Sequence, residues 1–252
     1  MRLKRFKTTI TKVATKARSK AVNTIDINAY SLNCFGLGAL GLGDLWGSIN
    51  WLVNLGISEN RKIKLSSNHH GFDVSARLRD IIDVLDIPNL IEIVDCPGKI
   101  GMDQYNFWTT KYHPTKVRWK NVYENKFCYQ FDGASNNWRK NPPPEDIDKL
   151  TSWCDKESFI QLGKHLSIKQ CVELASESSM FFGVCSGMSH LCHSVGLPVF
   201  ILEYGLFVPP FHVNKKYTRC CGTKKFLEEA EKFKKHLAVV RSRVCNYRLR
   251  TP

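Results

Sequence analysis

Residues 159–205 read FIQLGKHLSIKQCVELASESSMFFGVCSGMSHLCHSVGLPVFILEYG. The apolar run from Met180 to Val184 is typical of a buried strand, and the helix-like run that follows ends at 196–198, Gly-Leu-Pro. Between the two, the turn at 185–187, Cys-Ser-Gly, opens the helix. A helix start leaves backbone N–H groups unpaired and carries the positive end of the helix dipole. The stretch therefore predicts an α/β fold with an anion-binding helix start.

Length and composition limit the classes of protein to which the chain can belong. The chain has 252 residues, 43% of them hydrophobic, which is enough for one large domain or two small ones. No apolar run reaches the roughly 20 residues of a membrane-spanning helix, and we expect no cleaved signal peptide. The 10 cysteines are scattered, and several lie in apolar runs. We therefore expect buried, reduced thiols at Cys128, Cys171 and Cys192 rather than disulfides.

The formal net charge of +14 is concentrated near the N-terminus. Residues 1–27 carry half of it, with Asp26 as their single acid. This composition predicts a basic flexible tail that rests on an anionic membrane surface or a polyanion; a tail without a partner and a transit peptide are the alternatives. No motif for DNA or RNA binding is present, so we expect no specific nucleic-acid partner. The expected location is cytoplasmic, at most peripheral to a membrane.

Strands alternate with helices in both halves of the chain, which meet near residue 125. The pattern predicts strands at 31–35, 62–65, 90–94, 126–131, 158–162, 180–184 and 199–202. It predicts helices at 44–55, 71–86, 145–154, 167–176 and 224–243, another between the turn at 185–187 and residues 196–198, and an irregular bridge at 99–124. This alternation indicates an α/β protein with mainly parallel sheets, built as two Rossmann-like lobes that face one cleft.

A second glycine-rich turn precedes the first predicted helix. Residues 36–43 read GLGALGLG, and Asp44 follows them. Ligands of open α/β sheets bind beyond the carboxyl ends of the strands, where both glycine turns are predicted to lie. The first three glycines also fit the dinucleotide fingerprint G-x-G-x-x-G, but no acid ends the second strand as NAD binding requires.

The chain carries a set of motifs in the order of one enzyme family. They are Leu40-Gly-Leu-Gly-Asp44, Asp132-Gly-Ala-Ser135, Gly163, Ser167-Ile168, Val172-Glu-Leu-Ala175, Cys185-Ser-Gly187, His190-Leu191, Gly196 and Pro198. Together they resemble glycosyltransferase family nine, the ADP-heptose:lipopolysaccharide heptosyltransferase group. The resemblance covers roughly residues 31–55 and 126–205. The sequence departs from the family pattern at Cys185, where the family keeps an acid, and in its shorter N-terminal lobe.

The resemblance implies a GT-B fold with three segments. Residues 1–27 are then the tail, 28–124 a shortened N-terminal lobe on the acceptor side, and 125–252 a C-terminal lobe for the nucleotide sugar that ends in the long helix. The implied activity is that of a hexosyl- or heptosyltransferase that moves a sugar from a nucleotide-diphosphate donor to a hydroxyl of a glycan, glycolipid or protein. The implied transfer inverts the configuration at the anomeric carbon of the sugar. It uses no metal and no cofactor besides the donor.

The resemblance also implies roles for individual residues. Asp44 is the catalytic base, with simple helix capping as the alternative. The donor diphosphate is bound by Ser186, Gly187, His190 and Lys140. The nucleoside side of the donor is lined by Ser135, Gln161 and Cys185. For His190 the alternative is a core histidine bonded to a carbonyl group, and for Lys140 a solvated lysine.

Other functions fit parts of the same turn. Residues 183–187, Gly-Val-Cys-Ser-Gly, match the G-x-C-x-G pattern of a cysteine-nucleophile hydrolase or amidotransferase. Such a thiol needs a histidine oriented by an acid, and Phe211-His-Val-Asn214 lacks that acid. A zinc site is not indicated, because the spacing of Cys185, His190 and Cys192 is not that of a zinc motif. An inert relative that only binds the nucleotide sugar is a further alternative.

Overall fold

In the computed structural model, the described ranges are 24–28, 41–60, 62–66, 68–69, 72–73, 75–94, 112–120, 126–133, 141–163, 165–203 and 217–248. Their strands are β1 (Thr24–Asn28), β2 (Lys62–Ser66), β3 (Asn68–His69), β4 (Phe72–Asp73), β5 (Ile91–Val94), β6 (Phe127–Gln130), β7 (Ile160–Gln161), β8 (Met180–Val184), β9 (Val199–Glu203) and β10 (Tyr217–Cys221). Their helices are α1 (Leu42–Glu59), α2 (Ser75–Val84), α3 (Pro144–Lys156), α4 (Ile168–Ser176), α5 (Gly187–Val195) and α6 (Thr223–Arg248).

Two parallel sheets organise these elements. The N-terminal sheet has the order β1-β2-β5, and the C-terminal sheet has the order β10-β9-β8-β6-β7. Strands β3 and β4 form a separate short antiparallel pair. Parallel neighbours need crossover connections, and described helices lie between β1 and β2, β2 and β5, β6 and β7, and β8 and β9. The predicted α/β class with two Rossmann-like halves is confirmed.

The C-terminal sheet is covered on both faces, so its strands read as continuous apolar runs. Neighbouring residues Phe181 and Phe182 of β8 are both fully buried but belong to different clusters. The Phe182 side packs against α3 and α6 and is rich in aromatic rings, with the rings of Phe200 and Phe226 4.9 Å apart. The Phe181 side faces α4 and α5.

Helices α1 and α2 of the N-terminal half pack directly on α4 and α5 of the C-terminal half. The predicted apolar face of α1, which includes Leu45 and Ile49, is fully buried in the same cluster as Leu191. A hydrogen bond of 2.9 Å from Trp46 Nε1 to Ser194 Oγ joins the two halves inside that cluster. The halves therefore share one core, and their helices form the layer between the two sheets.

Residues 112–120, here called the crossing segment, run between the halves without regular structure. Their backbone N–H groups bond to both. That of Thr115 donates to the Ser194 carbonyl of α5 at 3.0 Å, and that of Lys116 donates to the Val84 carbonyl of α2 at 2.8 Å. The segment fits the irregular bridge predicted for this part of the chain.

Local signals in the sequence are confirmed at several helix ends. Ser167 caps α4, since Gln170 N–H donates to its Oγ at 3.2 Å and Ser167 N–H donates to Gln170 Oε1 at 2.9 Å. Gly196 ends α5 with a φ of 89°, a left-handed conformation that glycine adopts without a steric cost.

The predicted thiol state is confirmed as well, because the cysteines at 128, 171 and 192 are free and buried. Burial raises the pKa of Cys171.

The structure differs from the predictions in several places. The helix predicted at 71–86 begins only at Ser75, because Phe72–Asp73 pairs with Asn68–His69 as strands β4 and β3. Strand β1 begins at Thr24, inside the segment predicted as a tail, because pairing with β2 orders residues that composition alone assigns to the tail. Strand β10 was not predicted, and it forms by pairing with β9 at the sheet edge. The strand predicted at 158–162 is only two residues long. The strand predicted at 31–35 and residues 1–23 lie outside the described residues. Among the helices in the described part of the chain, none combines the length and the apolar composition that a membrane span requires.

Candidate functional site

The candidate site lies where β8 ends and α5 begins. Ser186 is the N-cap of α5 and has an extended backbone, with φ −141° and ψ 175°. Its N–H donates to Ser189 Oγ at 3.1 Å, and the same hydroxyl donates to the Ser186 carbonyl at 2.7 Å. One side chain thus fixes both backbone polar groups of the turn. The next N–H groups, from Gly187 onward, belong to the first turn of the helix, where intrahelical partners are lacking.

Gln130 holds the side chain of this N-cap. The Ser186 hydroxyl donates to Gln130 Oε1 at 2.6 Å. Gln130 is the last residue of β6, the strand next to β8, so its amide lies at the carboxyl end of the sheet. Its Nε2 lies 3.8 Å from the point that a methyl group on Gly163 would occupy. Sequence reasoning missed Gln130, whose only signal was a polar residue at the end of a buried strand.

The starts of α1 and α5 lie in contact. A methyl group on Gly187 would come within 2.6 Å of Leu42 Cβ and 2.9 Å of the backbone nitrogen of Gly43. A methyl group on Gly43 would lie 3.5 Å from the Cα of Gly187. Glycine at both positions permits this close approach. Two helix N-termini therefore meet at one point, and the positive ends of both dipoles favour an anion there.

His190 lies at the same point, one turn into α5. Its side chain is buried, with 5% of the residue exposed. A methyl group on Gly43 would lie 2.9 Å from its Cδ2 and 3.1 Å from its Nε2. The other ring nitrogen, Nδ1, is 3.0 Å from the hydroxyl of Tyr112. The hydrogen-bond partner of His190 Nδ1 is thus Tyr112 of the crossing segment. The sequence did not point to this tyrosine.

The remaining predicted residues are distributed as follows. Asp44 belongs to the first turn of α1, next to Gly43, and its side chain lies outside the described residues, as do Ser135 and Lys140 entirely. Gln161 ends β7 and is exposed, one strand away from Gln130. Cys185 directly follows β8 and is buried, with 9% of the residue exposed.

Two alternatives can be compared with this geometry. A nucleophile elbow stores backbone strain at its nucleophile. Among the described non-glycine residues, however, positive φ occurs at Asn60 and Ser158 and not at Cys185. No group of three or more His, Cys, Asp or Glu side chains in the described part of the chain could hold a metal ion. The converging elements instead suit a bound anion: two helix starts and the His190 imidazole, with the Ser186 hydroxyl beside them donating to Gln130 Oε1.

Comparison with known proteins supports the fold. No protein-family model matches the chain, and no curated protein matches it. A solved structure does match, that of the iron-containing dodecameric glycosyltransferase TibC from enterotoxigenic E. coli H10407, with a TM-score of 0.50 and 16% identity. The chain shares its fold with that glycosyltransferase. The match covers 78% of this chain and 63% of TibC, so the chain spans less than two thirds of the length of TibC.

A second solved structure is TibC described as a heptosyltransferase in complex with ADP-D-β-D-heptose. It matches with a TM-score of 0.45 and 15% identity, over 75% of this chain and 61% of that chain. At these identities the likeness concerns the fold. The assignment to family nine and the roles of the predicted site residues stay predictions.

Proposed function

We propose that the protein is a glycosyltransferase that transfers a sugar from a nucleotide-diphosphate donor to a hydroxyl acceptor. The observation that carries the proposal is the contact between the starts of α1 and α5 at Gly43 and Gly187, with His190 beside it. A departing diphosphate is an anion that needs fixed positive partners, and this contact offers two helix dipoles and an imidazole in one place. The fold shared with a glycosyltransferase supports the same conclusion.

The donor diphosphate would lie over the two helix starts. Backbone N–H groups at Gly187 donate to its oxygens. For Ser186 to donate as well, its hydroxyl proton must turn from Gln130 Oε1 to the diphosphate. His190 adds a ring N–H, and Lys140 adds a positive charge. Gln161, Ser135 and Cys185 then line the nucleoside part.

Asp44 would act as the general base. It follows Gly43 in the first turn of α1, so it belongs to the same helix start that would meet the diphosphate. The acceptor oxygen forms its bond to the anomeric carbon while the bond from that carbon to the diphosphate oxygen breaks. Asp44 takes the acceptor proton, and the diphosphate leaves with the bonding electrons. One displacement of this kind inverts the anomeric centre, and no step runs through a metal ion.

The finer assignments belong to the same proposal. They comprise the GT-B arrangement, membership of family nine, and hexosyl or heptosyl transfer to a glycan, glycolipid or protein. The N-terminal half would bind the acceptor. A cytoplasmic location, with the basic residues before β1 on an anionic membrane surface, would bring the enzyme to a glycolipid acceptor.

Titration calorimetry with the full chain tests the donor side. Inorganic pyrophosphate, ADP, GDP and UDP serve as probes, and we expect pyrophosphate and at least one nucleotide to bind. Absence of binding by all four would contradict the proposal. Sugar transfer is then assayed with sugar donors of the nucleotide that binds, which include ADP-D-β-D-heptose if that nucleotide is ADP.

The base is tested with the variant Asp44→Asn. We expect the transfer rate to fall by roughly 10² to 10⁴-fold, as for loss of a general base. Donor binding should not weaken, because the change removes a negative charge beside the diphosphate. Asp80→Asn, the same change at an exposed position of α2, is the matched control. Nucleotide binding without any sugar transfer by the wild-type protein would support an inert relative instead.

A further inference from the structure

The hydroxyl of Tyr112 reaches the buried ring of His190 from outside the helix that carries the histidine. The distance from Tyr112 Oη to His190 Nδ1 is 3.0 Å, and the ring centroids are 5.7 Å apart at an angle of 54°. The two residues are 78 positions apart in the sequence. This hydrogen bond involves Nδ1 of His190, which faces away from Gly43. It therefore influences whether the other ring nitrogen, Nε2, carries a proton.

A neutral imidazole carries its proton on one nitrogen and a lone pair on the other. When the Tyr112 hydroxyl donates to Nδ1, the ring proton resides on Nε2. That nitrogen lies beside Gly43 at the junction of the two helix starts. An N–H at this position attracts a phosphate oxygen, whereas a lone pair would repel it. The choice between the two tautomers therefore decides whether the ring helps to bind an anion.

We propose that Tyr112 is a positioning residue that holds His190 in the Nε2–H tautomer, with its N–H toward the diphosphate at the junction of α1 and α5. This inference rests on the proposed function for the identity of the anion. The tautomer itself, however, is a property of the protein without ligand. The two parts can therefore be tested separately.

The crossing segment holds Tyr112 in place from both halves. The N–H of the next residue, His113, donates to Asn50 Oδ1 of α1, and His113 Nε2 lies 3.2 Å from Asn54 Oδ1. Two residues further along, Thr115 N–H donates to the Ser194 carbonyl of α5. A hydroxyl anchored in this way has a fixed position relative to α1 and α5. It can therefore fix the ring of His190 whether or not a ligand is bound.

The first measurement is the tautomer. Long-range ¹H–¹⁵N NMR of the full chain labelled with ¹⁵N-histidine distinguishes the two neutral forms, and the signal missing in His190→Gln identifies residue 190. We expect the Nε2–H form in the wild-type protein and a mixture or the Nδ1–H form in Tyr112→Phe. A wild-type Nδ1–H form, or an identical tautomer in Tyr112→Phe, would overturn the proposal.

The second measurement is binding of inorganic pyrophosphate by calorimetry. Tyr112→Phe keeps the ring and removes the hydroxyl, and we expect a roughly tenfold weaker Kd, as for one lost hydrogen bond. In His190→Gln the side-chain amide donates without help from a tyrosine. Adding Tyr112→Phe to that variant should therefore cause no further loss. An equal further loss would show that Tyr112 does not act through His190, which contradicts the proposal.

Tyr129→Phe is the matched control. It removes the hydroxyl of Tyr129, a buried tyrosine that donates to Asp155 Oδ1 at 3.1 Å in the opposite cluster. It should leave both the His190 tautomer and the pyrophosphate Kd unchanged, and a change of similar size would overturn the specific role of Tyr112. If the wild-type protein binds no pyrophosphate, the proposed function fails. The NMR result then still decides whether Tyr112 sets the tautomer.

Discussion

The Cα of Gly187 lies so close to the start of α1 that a methyl group on it would approach the Cβ of Leu42 to 2.6 Å. Non-bonded carbon atoms pack at about 3.5–4 Å, so no side chain fits between these two residues. The contact joins the first turns of two helices that come from different halves of the chain. The glycine is therefore required for the packing of the halves as well as for the shape of the turn.

Gly187→Ala should destabilise the protein. The methyl group would also meet the backbone nitrogen of Gly43 at 2.9 Å, and backbone atoms cannot move aside as a flexible side chain can. We expect a loss of about 1–3 kcal/mol in the free energy of unfolding, measured by urea denaturation. Gly163→Ala is the control, because its nearest neighbours are at 3.8 Å, and it should cost little or slightly stabilise. Equal effects of the two changes would contradict the contact.

Gln130→Glu should weaken anion binding without unfolding the site. The carboxylate still accepts the hydrogen bond from Ser186, but it adds a negative charge beside the start of α5. We expect the Kd for pyrophosphate to rise by roughly tenfold, and less at high salt because ions screen the repulsion. Gln161→Glu makes the same change at an exposed residue of β7 and should have a smaller effect. A Kd unchanged in Gln130→Glu would place the anion elsewhere.

Cys185→Ser should preserve sugar transfer. The thiol directly precedes the N-cap of α5, but the proposed reaction uses no covalent step through sulfur. Because only 9% of Cys185 is exposed, iodoacetamide should label it slowly in the native protein and quickly after unfolding, as measured by mass spectrometry. Fast stoichiometric labelling of the native protein, with loss of activity in the serine variant, would favour the cysteine hydrolase.

The hydrogen bond between Trp46 and Ser194 should contribute measurably to the cohesion of the two halves. Both residues are buried, with 0% and 4% of their surfaces exposed. In a double-mutant cycle of Trp46→Phe and Ser194→Ala, we expect a coupling free energy of about 1 kcal/mol. Urea denaturation of the four proteins measures it. Additive losses would mean that the two side chains act independently.

Stability should fall as the pH is lowered through the titration range of an ordinary histidine. Burial lowers the pKa of His193 below that of an ordinary histidine, so the folded state keeps this ring neutral where the unfolded state binds a proton. Acid therefore favours unfolding, with a slope of at most about 1.4 kcal/mol per pH unit from one group. His193→Gln should reduce the difference in unfolding free energy between pH 7.5 and 5.5. An unchanged difference would exclude His193 as its source.

Much of the architecture follows from local sequence patterns. The apolar run of β8, the Ser167 cap of α4 and the glycine that ends α5 act over a few residues, so a strand or helix can be predicted wherever such signals are strong. Strands β1 and β10 lack strong local signals and were not predicted. Strand β1 is five residues long beside a basic segment, and β10 is an edge strand, so each depends on a partner strand for its order.

The candidate site, too, has one part that local sequence predicts and another part that only packing brings together. The sequence by itself determined that a glycine turn opens α5, with Ser186 and Gly187 at its start and His190 one turn on, because helix periodicity and strand hydrophobicity are local properties. Only the tertiary structure decided which groups meet there. Gln130 and Tyr112 lie 56 and 78 residues from their partners Ser186 and His190. Such pairs form only after the sheets and helices have packed, and no local pattern encodes that packing.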